Sequence, residues 1–462
     1  MPERPRKPLF VVTLPSVEEG DPAGFSARAK AAGADLLEVR GDLTPGLQPF
    51  DGPLPLLVAP RGAGADFIDR FSDVAWVDLE EGERVSFPEG VGRIRSLHDH
   101  AATPSVKHLL DAADRLRRDA DLAKIAVAVR SPWDLLTLAR AREEYPHPDL
   151  ALMGMGSMAW SQRLRESATS PLVYACLEER IASAPGQLPL SLYRDAFGKV
   201  RSPRLFAVVG GPDLQSMSPA IHNALIRRHG MDAYYGLITG ESLDEILAVA
   251  RAFRIEGLSI TSPFKGEAWE RSLRTDDLGR TLRSVNTLLL EEDHWIGYQF
   301  DVKGIVDGYP DLRRRRRVAV VGSGGVVPAV LEALRQLHAG HVSLYARNEN
   351  RRRALAARFQ VDDAPLAALA DESVDLLVWT LPLDVSSIPL PQPLDDAVAL
   401  DLRYARHQGF QAEARQRGFS VRDGSRMLMH QALAQFELFT GVTTTPADFL
   451  YLEELMSSHG EQ

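Results

Sequence analysis

Short apolar runs recur through the first 180 residues, each followed by a polar or amphipathic stretch: PLFVVTL, DLLEVR, PLLVAP, VAWVDLE, GRIRSLHD, AKIAVAV, ALMGM and PLVYACL. Brief apolar runs between turn-forming residues fit strands buried on both faces. Their alternation with amphipathic helical stretches predicts parallel strands joined by crossover helices. Eight such strands in under 200 residues predict an α/β fold that opens with a closed (β/α)8 barrel, whose catalytic residues stand at the carboxyl ends of strands. Glu38, Arg40, Arg61, His98, Asp99 and Lys124 all fall at or near such ends. The stretch from Arg61 to Trp76 is short for a loop, a full helix and a strand, so one barrel helix is expected to be truncated.

The pattern breaks at SAPGQLPLSLYRDAFGKVRSPR, residues 183 to 204, which reads as a lid loop, a short helix and a linker. A second alternation starts at LFAVVGG and continues through AYYGLIT, IEGLSIT and SVNTLLLEEDHWIGYQFD. In RRRRRVAVVGSGGVVPAVLEALRQL a strand enters a glycine-rich turn and then a helix. That arrangement turns backbone N–H groups and a helix N-terminus toward a pyrophosphate, with Gly322, Gly324 and Gly325 in the turn. The next strand ends in Arg347, with Arg351 a turn later, where an NAD enzyme carries an acidic residue for the ribose. Cations there suit a 2′-phosphate, so NADP is the expected cofactor; a basic surface helix would leave the same trace. The expected domains are a barrel over 1–195, a linker over 196–204, an α/β substrate domain over 205–305, a Rossmann domain over 306–424, and helices over 425–462 that return to the substrate domain. The arginines at 313 to 317 abut the Rossmann strand and read as a solvated edge.

Composition narrows the function classes. Of 462 residues 45% are hydrophobic and 25% charged, as in a soluble globular protein, and the net charge of -10 argues against nucleic acid or an anionic membrane as partner. Anionic substrates then require local arginine pockets. The amino terminus MPERPRKPLFVVTLPS does not read as a signal peptide, and no apolar run is long enough to span a bilayer, so a cytoplasmic protein is expected. Cys176 is the sole cysteine, which excludes internal disulfides and a thiolate metal cage; it reads as a small buried hydrophobe, and no metal is expected. Only seven lysines stand against 46 arginines, and two of the seven, Lys124 and Lys265, lie in or beside apolar strands. An amine can be deprotonated near neutral pH by burial and a guanidinium cannot, so two active sites are suggested. Lys7, Lys30, Lys107, Lys199 and Lys303 carry no such signal.

The runs VVGGPDLQSMSPAIHN, GLSITSPFK, SVNTL, GYQFD, GSGG, DLRY and GSRMLMHQALAQFELFTG, in that order from residue 205 to about 450, resemble the shikimate dehydrogenase family. The resemblance implies that Ser216 and Ser218 hold the substrate carboxylate, that Thr261, Asn286 and Gln431 meet ring hydroxyls with Tyr404 near the substrate, and that Lys265 and Asp301 are the catalytic pair. That pair suits the reduction of a ring ketone, where the forming alkoxide needs a proton donor beside it. Three positions depart from the family pattern: Ser259 replaces an Asn, Gln299-Phe300 replaces Asn-Thr before Asp301, and WTLP replaces Asn-Ala-Thr. The Phe300 change is expected to remove a hydroxyl near the substrate ring.

Residues 8 to about 190 resemble type I 3-dehydroquinate dehydratase, a metal-free Schiff-base barrel enzyme, through EVRGD, VDLE, HD followed by TP, AKIAV, MG with Arg163 eight residues after Met155, and SAPGQ. The resemblance implies imine formation at Lys124, acid and base chemistry at His98, and substrate binding by Glu38, Arg40, Arg61, Arg163, Ser183 and Gln187. An iminium at Lys124 would accept the electrons released when imidazole removes the neighbouring C–H proton. The segment RGAGADFIDR lacks the family's Glu-Gly-Gly after the arginine, so the acid that orients the histidine is absent from its usual place, and Asp66 is the candidate substitute.

The two resemblances reinforce each other, because 3-dehydroshikimate, the product of the first reaction, is the substrate of the second. The leading expectation is a bifunctional enzyme converting 3-dehydroquinate to 3-dehydroshikimate and then, with NADPH, to shikimate. The alternative is a quinate/shikimate dehydrogenase with a weak or non-catalytic barrel. Oligomeric state stays open.

Overall fold

A computed structural model of the chain describes residues 8–18, 20–194, 201–381, 388–403 and 408–459. The chain forms two compact units, Met1–Ala207 with Gly230–Glu256, and Val208–His229 with Gly257–Gln462.

In the first unit the eight predicted strands are all present: β1 (Leu9–Thr13), β2 (Leu36–Arg40), β3 (Leu56–Ala59), β4 (Val74–Glu80), β5 (Gly92–Asp99), β6 (Leu122–Ala128), β7 (Leu150–Met155) and β8 (Leu172–Ala175). They form one parallel sheet in the order β7-β6-β5-β4-β3-β2-β1-β8. The helix after β3 is a single turn, Ala65–Ile68, as the short spacing requires. Side chains two apart on a strand share a face, and this period stacks the interior in layers. Val11, Leu36, Trp76, Ile94, Leu122 and Leu172 belong to one buried apolar cluster. Two residues further along the same strands stand Thr13, Glu38, Asp78, Ser96, Lys124 and Tyr174, so the apolar floor gives way to polar groups toward the carboxyl ends. Gly92 makes room for the floor: a Cβ there would strike the Trp76 indole.

The predicted closure is incomplete, because β7 and β8 are the two ends of the sheet order. In the helix Trp160–Glu166, Gln162 pairs the open edge of β7 and Arg163 bridges the seam. Gln162 accepts from Gly154 N and donates to Leu152 O on β7, both at 2.9 Å. Arg163 donates to Gly154 O of β7 at 2.8 Å and to Tyr174 O of β8 at 3.4 Å. Open ladder groups in a core must find partners, and here a helix supplies them.

The second alternation gives β9 (Arg204–Gly210), β10 (Ala233–Thr239), β11 (Ile255–Ile260), β12 (Arg274–Thr275), β13 (Thr287–Glu291) and β14 (His294–Tyr298), in the sheet order β10-β9-β11-β13-β14-β12. The run read as SVNTLLLEEDHWIGYQFD folds as the antiparallel hairpin β13-β14, turning at Glu292 and Asp293, both with positive φ. The following strands are β15 (Arg317–Val321), β16 (His341–Ala346), β17 (Asp362–Pro365), β18 (Ser373–Trp379), β19 (Gln392–Asp401) and β20 (Ser420–Arg422). They form a parallel sheet in the order β17-β16-β15-β18-β19-β20, the doubly wound dinucleotide-binding order with its switch point between β15 and β18. The helix Ser425–Thr440 packs against the helix Asp301–Gly308 and against β13. Among the described residues no helix is long and apolar enough to cross a membrane.

Candidate active sites

A cavity of about 610 Å³ lies at the carboxyl ends of the barrel strands. Glu38, Arg40, Arg61, His98, Lys124, Arg163, Ser183 and Gln187, every residue expected for the first reaction, line it. Lys124 is buried on β6, and its Nζ lies 2.9 Å from Asp78 Oδ2 and 3.1 Å from the Tyr174 hydroxyl. Glu38 Oε1 is 3.8 Å away, and Glu38 Oε2 accepts from the Thr13 hydroxyl at 2.6 Å. Arg61 donates to the same Asp78 oxygen at 2.6 Å and to Ser96 Oγ at 3.0 Å. Burial pushes the Asp78 carboxyl up, but the Arg61 and Lys124 charges and hydrogen bonds from Ser96 and Lys124 outweigh it and hold the group well below the usual carboxylate range. Asp78 is thus a buried counter-ion shared by two cations.

His98 leaves the adjacent strand one layer nearer the rim. Burial, then the charges of Lys124 and Arg61, push its pKa down to about 2 against the opposing pull of Asp78. The imidazole is therefore neutral, and its 3.1 Å contact between Nδ1 and Glu80 Oε1 is a hydrogen bond to a carboxylate rather than an ion pair. Asp99, adjacent in sequence, caps the next turn by accepting from Ala101 N and Ala102 N. On the loop after β8, Gln187 Oε1 accepts from Ser183 N and Oγ at 2.9 and 3.1 Å, and both residues line the cavity.

A second, smaller cavity of about 140 Å³ gathers Ser216, Ser218, Thr261, Lys265, Asn286, Asp301 and Gln431. Lys265 opens the helix Lys265–Arg271, and its Nζ meets Asp301 Oδ2 at 2.6 Å. The other carboxylate oxygen accepts from Asn286 Nδ2 at 2.8 Å, which fixes the buried Asp301 in one orientation. Ser216 Oγ donates to Ser218 Oγ at 3.1 Å and accepts from Ser218 N. Gln431 Oε1 lies 3.4 Å from Asn286 Nδ2. Tyr404 lies outside the described residues.

Gly322 follows β15 with φ 126°, and a Cβ there would strike the Thr380 hydroxyl; Cβ atoms on Gly324 and Gly325 would meet nothing. The helix Val327–Gln336 that follows has no side-chain N-cap; Val327 N closes the turn on Gly324 O at 3.1 Å, and Pro328 occupies the first turn. Arg347 and Arg351 are exposed and make no ion pair among the described residues. An open glycine turn and two exposed cations without an ion pair among the described residues fit a dinucleotide carrying an extra phosphate.

Residues 54–200 match the family model for type I 3-dehydroquinase, and residues 208–288 match that for the shikimate dehydrogenase substrate binding domain. The shikimate dehydrogenase (NADP(+)) of Syntrophobacter fumaroxidans is 31% identical over 251 residues, covering 50% of this chain and 86% of that relative. The chain belongs to the shikimate dehydrogenase family. Ahead of that part it carries the type I 3-dehydroquinase region, so two enzymes share one polypeptide. The shikimate biosynthesis protein AroDE of Chlamydia muridarum is 27% identical over 380 residues, 79% of this chain and 77% of the relative. In fold, a chorismate mutase/shikimate 5-dehydrogenase fusion protein from Clostridium acetobutylicum superposes with a TM-score of 0.51 at 21% identity, over 56% of this chain and 99% of that one.

Within the family, the departures have structural answers. Ser259 donates to Gln435 Oε1 at 2.9 Å, while Gln435 Nε2 bonds Thr287 Oγ1, so Ser259 and Gln435 act together on the cavity wall. Gln299 is buried, and its Oε1 accepts from Asp301 N at 2.7 Å at the start of the helix Asp301–Gly308. Phe300 stacks on Tyr298 with rings 1° from parallel. Trp379 of WTLP is a core residue stacked on Phe410. Asp66 sits exposed on the single-turn helix, and the carboxylate on His98 is that of Glu80 instead. Asp78, Glu80 and Tyr174 carried no assignment in the sequence, although the period of two along β4 places Asp78 and Glu80 on the inner face with Trp76.

Proposed function

We propose that the two cavities house consecutive reactions, dehydration of 3-dehydroquinate at Lys124 and reduction of 3-dehydroshikimate at Lys265, in a bifunctional shikimate-pathway enzyme. Residues 1–195 are assigned to the first reaction and 205–462 to the second. The observation that carries the reading is the convergence of all eight expected barrel residues on one cavity, with Lys124 buried between Asp78 and Tyr174.

In the first reaction the substrate ketone condenses with the Lys124 amine, losing one water and forming an iminium. Asp78 and Glu38, 2.9 and 3.8 Å from Nζ, hold the positive charge in place. Neutral His98 removes a proton from the carbon next to the iminium, and the C–H electrons flow into it. His98 then returns that proton to the β-hydroxyl, which leaves as water, and hydrolysis frees 3-dehydroshikimate and Lys124. Arg40, Arg163, Ser183 and Gln187 bind and orient the polar substituents; Arg61 is already engaged by Asp78 and Ser96 and acts on the charge of the site.

In the second reaction Ser216 and Ser218 receive the carboxylate, and Thr261, Asn286 and Gln431 meet the ring hydroxyls, which would leave these groups unpaired if absent. NADPH, when bound, supplies the hydride. Gly322, Gly324 and Gly325 would hold its pyrophosphate, with Arg347 and Arg351 on the 2′-phosphate. Lys265 donates a proton to the ring oxygen as its charge develops, Asp301 holds the ammonium in position, and a proton from solvent then restores the ammonium. The alternative, a dehydrogenase with a non-catalytic barrel, lacks support from a cavity this fully furnished.

A coupled assay assigns the steps. Lys124→Ala is expected to abolish enone absorbance from 3-dehydroquinate and leave NADP reduction by shikimate intact, and Lys265→Ala to lower the latter by about 10²- to 10⁴-fold and spare the former. Dehydration that survives Lys124→Ala would overturn the first assignment.

A further inference from the structure

We infer that Glu80 is the positioning residue for His98, supplying from β4 the carboxylate that the loop after β3 does not. This rests on the reading of the barrel as a Schiff-base dehydratase. After β3 the chain turns at once, through positive φ at both Arg61 and Gly62, and the following helix is one turn long. No acidic side chain from that segment reaches the imidazole, since Asp66 points to solvent. Glu83 secures the arrangement by accepting from Gly62 N at 2.8 Å with one oxygen and from Glu80 N at 2.7 Å with the other. The Arg61 turn and the end of β4 are thereby tied together, and Glu80 is set over the gap.

From there Glu80 Oε1 lies 3.1 Å from His98 Nδ1, and Oε2 lies 3.7 Å from Arg61 Nη1. An imidazole that donates from Nδ1 carries its lone pair on Nε2, the nitrogen left to face the cavity. The carboxylate also stabilises the imidazolium that exists after proton abstraction. Neutral His98 among the cations Lys124, Arg61 and Arg40 is a weak base, so a neighbouring anion aids the transition state more than the ground state.

The test compares Glu80→Gln with Asp66→Asn in the full-length enzyme, using 3-dehydroquinate with and without deuterium at the carbon next to the ketone. Glu80→Gln is expected to lower kcat for dehydration by about 10- to 100-fold, to leave KM within about twofold, and to raise the primary isotope effect on kcat as proton abstraction becomes limiting. Asp66→Asn is expected to match the wild type. A rise in KM at constant kcat in Glu80→Gln would mean that Glu80 serves only to place Arg61, and would overturn the inference. So would unchanged kinetics, or a loss of activity in Asp66→Asn alone. Borohydride trapping with substrate separates the two levels: Lys124 labelling in both the wild type and Glu80→Gln keeps the barrel reading standing whichever way the kinetics fall, whereas no Lys124 labelling in the wild type overturns that reading itself.

Discussion

Asp78→Asn is the perturbation with the clearest expected magnitude. Asp78 is fully buried, and a single oxygen of it lies 2.6 Å from Arg61 Nη2 and 2.9 Å from Lys124 Nζ. At an effective dielectric near 20 each contact is worth up to about 6 kcal/mol in attraction, most of which offsets desolvation of the ions. Removing one partner of such a pair leaves uncompensated buried charge and costs about 3–5 kcal/mol. Asn keeps the shape and one acceptor, so the lower end, about 3 kcal/mol, is expected. For a unit of this size each kcal/mol moves Tm by roughly 2–4 °C, which predicts a fall of roughly 6–12 °C in the barrel's transition by scanning calorimetry. The pH dependence has a definite sign. Because the folded-state pKa is depressed, the stabilisation is fully present above the unfolded value of about 3.9 and is lost as pH falls through the lower folded one. The difference between wild type and variant should therefore be constant from about pH 5 to 8 and shrink only below about 4. Oxidation of shikimate at 25 °C should persist, since Lys265 and Asp301 belong to the other compact unit. A Tm change under about 2 °C, or a stability difference that varies between pH 6 and 8, would refute the shared counter-ion.

Two further outcomes follow from the same geometry. Arg347→Ala should raise KM for NADP by about 10- to 100-fold, the loss of one charge-assisted hydrogen bond, with little effect on NAD; steady-state kinetics with both cofactors measure it, and an equal loss with both would remove Arg347 from the 2′-phosphate. Because His98 is held neutral far below the ordinary imidazole value, its base form persists on acidification. The profile of kcat/KM for dehydration should accordingly show no ascending limb centred near 6.5, and an inflection there would contradict the burial argument.

Strands and motifs were legible because buried parallel strands leave apolar runs, and because glycine turns, Pro breaks and helix starts are local chemistry. All eight barrel strands and even the truncated helix after β3 followed from spacing. What spacing did not disclose was the partner of each group. The open edge of β7 is paired by Gln162 and the seam to β8 is bridged by Arg163, both from a helix, and nothing local in LMGMGSMAWSQR distinguishes those donors from surface ones. Arg163 illustrates the gap: it lines the cavity as expected, yet two of its donors hold the strands together. Likewise the carboxylate expected on His98 was sought in the loop after β3, at Asp66, whereas the one that meets it comes from the neighbouring strand β4, where side chains two apart share the inner face.

The scarcity of lysine has a different meaning at the two sites. Lys124 stands in a cluster with two buried carboxylates, a buried tyrosine and an arginine, a setting that would suit any cation electrostatically. Arginine at that place would satisfy Asp78 equally well, so charge does not explain the choice; only an amine can form and release an imine. At Lys265 the demand is geometric. A single Nζ at 2.6 Å from one Asp301 oxygen, with Asn286 on the other, leaves the remaining ammonium protons directed at the cavity. A guanidinium would engage both carboxylate oxygens bidentately, displace Asn286 and withdraw its donors from the ring oxygen. Lys124→Arg and Lys265→Arg should therefore fail for separate reasons, the first with the barrel still stable and the second with Asn286 released from Asp301.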